Sequence, residues 1–254
     1  MEKDYENKLQ IFVDAIIKHE VDIVALQEIM QPVDGVASKR AHINCGKIPL
    51  KIGNHALNIV NELSKRGVKY NFAWLGFKRS YDKFDEGLAI LTPHEITEIK
   101  VLTLTPFDDY YNWKTRKAIG VKVFGQWFYS VHLGWWDSFK EEFERLSAAI
   151  SGNDLAWLMG DFNSIADERD KGYDFVVSNG WYDTYLLAVS KDGGITASKG
   201  IDGWDGENAE IRIDYIFSNK RTVIESSLVI FNGKNEQVIS DHYGIIITTR
   251  KEEK

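Results

Sequence analysis

Leu9, Phe12, Val13, Ile16 and Ile17 recur at helical spacing, with Glu6, Lys8, Asp14 and Lys18 on the opposite side. That period predicts an amphipathic helix docked on a sheet. Residues 21–27 then form a short, mostly apolar run that stops at Glu28, the pattern of a buried strand whose C-terminal end carries a charge. A second helix fits Ala56, Ile59, Val60 and Leu63 and stops at Gly67, and a third fits Phe139, Phe143, Leu146 and Ile150. β-rich runs over residues 87–91, 118–124, 127–133, 155–159, 211–217, 222–231 and 242–249 fill most of the remainder. Residues 31–53 and 190–208 lack a clean period, and the second stretch holds five glycines and four acids. Both predict long loops, where functional contacts concentrate. Many strands, few helices and crossovers too short for a regular βαβ series predict stacked sheets with helices outside, rather than a doubly wound sheet.

Composition narrows the class. A chain of 254 residues that is 44% hydrophobic can bury most of its apolar surface in one core, so a single domain over residues 1–254 is expected. A formal charge of −7 gives no overall attraction to a polyanion, which disfavours nucleic acid as a partner but leaves room for a local basic patch. The single cysteine, Cys45, cannot form an internal disulfide, and nothing reads as a secretory leader or a membrane-spanning run. A soluble cytoplasmic protein with no membrane partner is the expectation.

Five motifs place a polar group at the end of an apolar run: Leu26-Gln27-Glu28, Val131-His132-Leu133, Gly160-Asp161-Phe162-Asn163, Arg212-Ile213-Asp214-Tyr215-Ile216-Phe217 and Ser240-Asp241-His242-Tyr243-Gly244. Burying a carboxylate is costly unless a cation or donors meet it, so a chain that does this repeatedly is collecting such groups around one site. Glu28 is a hard oxygen ligand that suits Mg2+ or Mn2+. Asp161 can orient a water, while the neutral amide of Asn163 can donate to a phosphoryl oxygen without repelling it. The same Asp-Phe-Asn also suits an Asx-turn, in which both side chains bond only local backbone. His132 and His242 sit in strand settings, unlike His19, His42, His55 and His94. Asp241 precedes His242 and Asp214 lies on the preceding strand run, so the leading structural expectation is cross-strand pairing of Asp214 with His242. A carboxylate on one ring nitrogen fixes the tautomer and frees the other for proton transfer. Arg116 begins a strand and is either a fork for phosphate oxygens or a solvated surface charge.

In this order and at these positions, over roughly residues 8–249, the motifs resemble the endonuclease/exonuclease/phosphatase superfamily. Within it the pattern is similar to bacterial sugar-phosphate phosphatases, including those acting on maltose phosphate. Gly-Asp-Phe-Asn and Ser-Asp-His are the specific elements, supported by Gln-Glu and Arg-Ile-Asp-Tyr. The resemblance implies an α+β fold, a four-layer α/β/β/α sandwich of two mainly antiparallel sheets with outer helices. It implies a divalent-metal-dependent hydrolase of phosphate esters with its site at one edge of the paired sheets. By the same resemblance Glu28 holds Mg2+ or Mn2+ with Asp241 nearby, Asp161 orients or deprotonates the attacking water, Asn163 and His132 hold the phosphate, and Asp214 positions His242. One departure stands out. Members of the family open with an asparagine-bearing strand ahead of the first helix, whereas Met1 here lies almost directly in that helix. The expectation is a recorded start downstream of the true one. A form lacking that inner strand leaves unpaired backbone beside residues 21–27.

The loops point to a small substrate. Trp135 and Trp136 follow the His132 strand, and Trp204 sits among the aspartates and glycines of the second long loop. Tryptophan faces flanked by Asp and Asn suit sugar rings, or else pack beneath the loops. The expected activity is therefore a phosphatase on a small phosphorylated sugar such as maltose phosphate, with Arg116, Trp135, Trp136 and Trp204 as substrate contacts. The alternatives are a nuclease or other phosphodiesterase using a local basic track of Lys78, Arg79, Lys83, Arg116 and Lys117, and a non-catalytic binding module if the first strand is missing. A sphingomyelinase-like enzyme calls for export and an exposed lipid-contacting element, and neither signal is visible.

Overall fold

The computed structural model describes residues 4–150, 152–197 and 210–250. In chain order its elements are α1 (Tyr5–Lys18), β1 (Val24–Pro32), β2 (Ile43–Asn44), α2 (His55–Lys65), β3 (Asn71–Ser80), β4 (Phe84–Thr92), β5 (Glu98–Thr103), β6 (Lys117–Val123), β7 (Gln126–His132), α3 (Trp136–Ala149), β8 (Ala156–Asp161), α4 (Gly172–Ser178), β9 (Tyr182–Asp183), α5 (Thr184–Leu187), β10 (Ser190–Lys191), β11 (Asp214–Ser218), β12 (Ile224–Ile230) and β13 (Gly244–Thr249). Local chemistry sets the helix ends. Asn54 caps α2 by accepting from the Leu57 N–H at 3.1 Å, and the chain leaves that helix through Gly67 at φ 81°.

The strands form a four-stranded sheet in the order β1-β4-β3-β2, a six-stranded sheet β5-β6-β7-β8-β11-β9, and a three-stranded sheet β10-β12-β13. Leu75, Leu88 and Ile90 of the first sheet pack against Ile119 and Val121 of the second. Helices α1 and α2 cover the outer face of the first sheet, and α3 and α4 that of the second. The result is the four-layer α/β/β/α sandwich, with the small sheet extending the first layer, since Ile230, Phe231 and Ile246 pack against α1.

Among the described residues β1 pairs only with β4, β13 pairs only with β12, and no strand precedes α1. Residues of both strands border one cavity of about 400 Å³, which Phe12, Ala15 and Ile16 of α1 help to enclose.

Some elements depart from the sequence pattern. Where that pattern closes the first strand at Glu28, β1 runs on to Pro32, because a bulge between Leu26 and Ile29 absorbs Glu28 in the left-handed region (φ 51°). Strand β3 is not foreshadowed at all. Its residues 72–78 are all buried, so no alternation marks it. Helix α4 is too short to show a period, and the 31–53 loop contains β2. The 190–208 loop opens with β10, and its later part lies outside the described residues.

Leu88 is buried between the sheets while Val101 is 38% exposed. Leu88→Ala is expected to lower unfolding free energy by about 2–5 kcal/mol through lost burial and a residual cavity, and Val101→Ala by less than about 1 kcal/mol. Urea unfolding followed by circular dichroism measures both, and equal losses would contradict the assigned core.

Candidate active site

His132 closes β7, Asp161 closes β8 and Asp214 opens β11. Register places His132 beside Asp161 and Asp161 beside Asp214, so three polar groups form a row at one end of the six-stranded sheet. Gly160 permits this approach: at φ 144°, a Cβ there would lie 2.1 Å from the Val131 carbonyl oxygen and 2.8 Å from Gln27 Nε2. In the turn that follows, the N–H of Asn163 (φ 45°) donates to Asp161 Oδ1 at 2.7 Å, which is the Asx-turn. The other carboxylate oxygen of Asp161 stays available, 3.5 Å from His132 Nε2. Asn163 Nδ2 donates to the Leu133 carbonyl at 2.9 Å and lies 3.3 Å from His132 Nε2. Turn and site therefore coexist in one tetrapeptide.

The opposite wall comes from the first layer. Gln27 Nε2 donates to Ser130 Oγ at 2.9 Å, and Ser130 Oγ donates to the Leu26 carbonyl at 3.0 Å. This bridge between β1 and β7 leaves Glu28 Oε1 3.9 Å from His132 Nδ1. His242, just ahead of β13, donates from Nδ1 to Asp214, 2.9 Å from Oδ2 and 3.1 Å from Oδ1. The bond joins two different sheets, whereas the sequence pattern suggests neighbouring strands, because β13 pairs with β12 and not with β11. Ala197 bridges to both Ile211 and His242, and Thr196 Oγ1 accepts from the N–H groups of Ile213 and Asp214, so the segment between them clamps the pair. Glu28, His132, Asp161, Asp214, Asp241 and His242 all line the 400 Å³ cavity.

Burial and crowding set the protonation. Burial pushes the Asp161 carboxyl well above the carboxylate range, and the neighbouring Asp214 charge adds to it. Burial holds His132 well below an ordinary histidine, with the charges of Arg116 and Lys78 acting the same way, so its ring is neutral. For His242, burial opposes the charged ring, but the hydrogen bond and charge of Asp214, followed by Asp161 and Asp241, outweigh it and raise the group to about 9. The Glu28 side chain is exposed, yet within a recess that protein encloses. Its carboxyl is raised by that enclosure first, then by Glu86, with Asp241 adding. Carboxylates crowded this way fit a hard divalent cation. Asp161, Asp214 and His242 offer ligand atoms within 4.8 Å of one another, and so do Glu28, Glu86 and His132.

Two participants escape the sequence reading as members of this site. Glu86 on β4 faces Lys78 on β3, with Nζ to Oε1 at 2.9 Å and both residues buried. The adjacent acids Asp85-Glu86 ahead of an apolar run carry the signal used for the other motifs, but pairing Glu86 with Lys78 requires the strand register. Arg116 is 7% exposed, which removes the surface-charge reading, and its Nη1 donates to the Trp113 carbonyl at 3.2 Å. Trp135 and Trp136 share with Asn163 the lining of a second cavity of about 200 Å³. Trp204 lies outside the described residues.

A two-sheet sandwich with its acids and imidazoles gathered at one end of the sheets defines the DNase I-like class of phosphoester hydrolases. The chain belongs to the endonuclease/exonuclease/phosphatase family, whose model matches residues 3–242. This is a family of phosphoesterases and nucleases that are generally dependent on a divalent metal. Among solved structures the chain is similar to an endonuclease/exonuclease/phosphatase family protein from Leptotrichia buccalis C-1013-b, at 29% identity and a TM-score of 0.86, covering 99% of this chain and 96% of that one. It shares its fold with the mannosyl-6-phosphatase Bt3783 of Bacteroides thetaiotaomicron VPI-5482, at 17% identity and a TM-score of 0.66, covering 97% and 91%. The 3' phosphatase NExo from Neisseria, bound to a product DNA hairpin, also shares the fold at 17% identity and a TM-score of 0.65, covering 96% and 95%. No curated protein matches the chain. No helix among the described residues is long and apolar enough to cross a membrane.

The Asp214–His242 bond makes a pH prediction for the metal-free protein in EDTA. The folded pKa of about 9 lies above the ordinary 6.5, so the bond's contribution to stability is complete below about pH 6.5 and is lost as pH rises through about 9. Asp214→Asn is expected to return the His242 ring toward 6.5, as read by NMR titration. A midpoint that stays near 9 would show that Asp214 is not its cause.

Proposed function

We propose that this chain is a divalent-metal-dependent phosphatase acting on a small phosphorylated sugar such as maltose phosphate. The observation that carries this reading is the character of the walls. Among the described residues no lysine or arginine lines the cavity that holds the acids and imidazoles, and two tryptophans line the adjoining one beside Asn163. A polynucleotide calls for cations along its backbone, but the candidate basic track is largely occupied. Lys78 is buried against Glu86, Arg79 pairs with Asp82 at 3.7 Å, Lys117 pairs with Asp108 at 2.7 Å, and Arg116 is buried. The likeness in fold to a mannosyl-6-phosphatase is consistent with a sugar phosphate.

In this reading Glu28 and Asp241 hold Mg2+ or Mn2+, which supplies charge neutralisation at the phosphoryl group. Asp161, made unusually basic for a carboxylate by burial, receives a proton from the attacking water. His132, neutral, and Asn163 hold phosphoryl oxygens without adding negative charge. His242 is kept charged by Asp214 and donates from its second nitrogen as negative charge grows in the transition state. Trp135 and Trp136 stack on the sugar.

The test is inorganic phosphate release from a panel of sugar phosphates with Mg2+ or Mn2+ and with EDTA. EDTA is expected to abolish turnover, and Asp161→Asn and His242→Ala to lower kcat by roughly 10²–10⁴-fold. Trp135→Ala is expected to raise KM for the sugar phosphate but to leave p-nitrophenyl phosphate nearly unaffected. Nicking of DNA with no phosphate released from any sugar phosphate would replace this reading with the nuclease one.

A further inference from the structure

The site contains two cation-sized clusters, Asp161–Asp214–His242 and Glu28–Glu86–His132. Each already holds a positive charge of its own. In the first, the His242 ring is bonded to Asp214 at 2.9 Å. In the second, Lys78 stands directly opposite Glu86 across β3 and β4, just past the bulge between Gly76 and Lys78, with Nζ 2.9 Å from Glu86 Oε1. The same ammonium donates to the Trp113 carbonyl at 3.5 Å. Arg116 donates to that carbonyl as well, and its buried Nε has no hydrogen-bond partner among the described residues. Two buried cations thus meet at one backbone oxygen behind the Glu28–Glu86–His132 cluster.

We propose that Lys78 is the built-in cation of the Glu28–Glu86–His132 cluster, so that the chain takes one divalent ion where its ligand set would otherwise hold two. The proposal rests on the metal-dependent reading above and concerns only how many ions the site accepts. A second ion could engage Glu86 only by displacing Lys78, which is 6% exposed and would be left as an unpaired buried ammonium, a strongly unfavourable state. The fixed ammonium also differs from an exchangeable ion in chemistry. Lacking vacant ligand positions, it cannot activate a water, so Lys78 neutralises Glu86 while water activation stays with Asp161. Arginine at position 78 would preserve this charge, and methionine would remove it at nearly the same volume.

Mn2+ binding measures the ion count directly, through loss of the free aqueous Mn2+ electron paramagnetic resonance signal and by calorimetry, with no substrate present. The wild-type chain is expected to bind one ion, Lys78→Arg one, and Lys78→Met two, the second disappearing again in Lys78→Met/Glu86→Gln. Glu86→Gln alone is expected to keep one ion, and the wild-type and Glu86→Gln counts remain decisive if Lys78→Met fails to fold by circular dichroism. Two ions on the wild-type chain, one ion on a folded Lys78→Met, or two ions on Glu86→Gln would each overturn the proposal. No Mn2+ bound by the wild-type chain would overturn the metal-dependent reading together with it, whereas one ion on both the wild-type chain and Lys78→Met would leave that reading standing.

Discussion

The hydrogen bond from Gln27 to Ser130 is the contact on which the geometry of the site turns. Apolar packing holds the two sheets together but is non-directional, so it does not by itself fix how far one sheet sits along the other. The Gln27 amide removes that freedom by reaching Ser130 Oγ at 2.9 Å and the Met159 carbonyl at 3.4 Å. Those two residues lie two positions ahead of His132 and Asp161. One side chain of the first sheet is thereby tied to both strands that present the row of polar groups, and the residue after it, Glu28, is delivered over that row.

Holding the row together costs electrostatic energy and backbone strain. Asp161 and Asp214 adjoin in register, and burial raises the first out of the usual carboxylate range. Glu28 and Asn163 both occupy the left-handed region, where non-glycine residues are strained. The fold offsets the crowded negative charge from within. His242 is brought in from the small sheet to one side of the row, and Lys78 from the middle of β3 to the other. His242 reaches Asp214 from another sheet, whereas Lys78 meets Glu86 across the neighbouring strands β3 and β4.

The tryptophans are placed differently from the row of acids and imidazoles. The row sits on strand ends of the rigid sandwich, while Trp135 and Trp136 lie where β7 hands over to α3. Proteins that share this fold at about 17% identity include a mannosyl-6-phosphatase and a 3' phosphatase bound to product DNA. That range is what a common scaffold with variable surrounding loops produces.

Much of this is legible in the sequence alone. The periodicity of Leu9, Val13 and Ile16, and of Ala56, Ile59, Val60 and Leu63, marks α1 and α2, because each helix buries one face only. The acids and histidines that end apolar runs stand out because buried charge is rare without purpose. Strand β3 was hidden because it is buried on both faces and loses the period-two signal. The left-handed bulge at Glu28, the Gln27–Ser130 tie and the Lys78–Glu86 pair were hidden for another reason: each depends on which strand lies beside which, and in what register. Local pattern along a chain records burial and backbone preference one element at a time. It therefore determined the three longer helices, most strands and the residues able to do chemistry. Only the tertiary structure could decide that Asp214 meets His242 between two sheets and that Lys78 meets Glu86 across β3 and β4, since those distances arise from sheet packing and strand register.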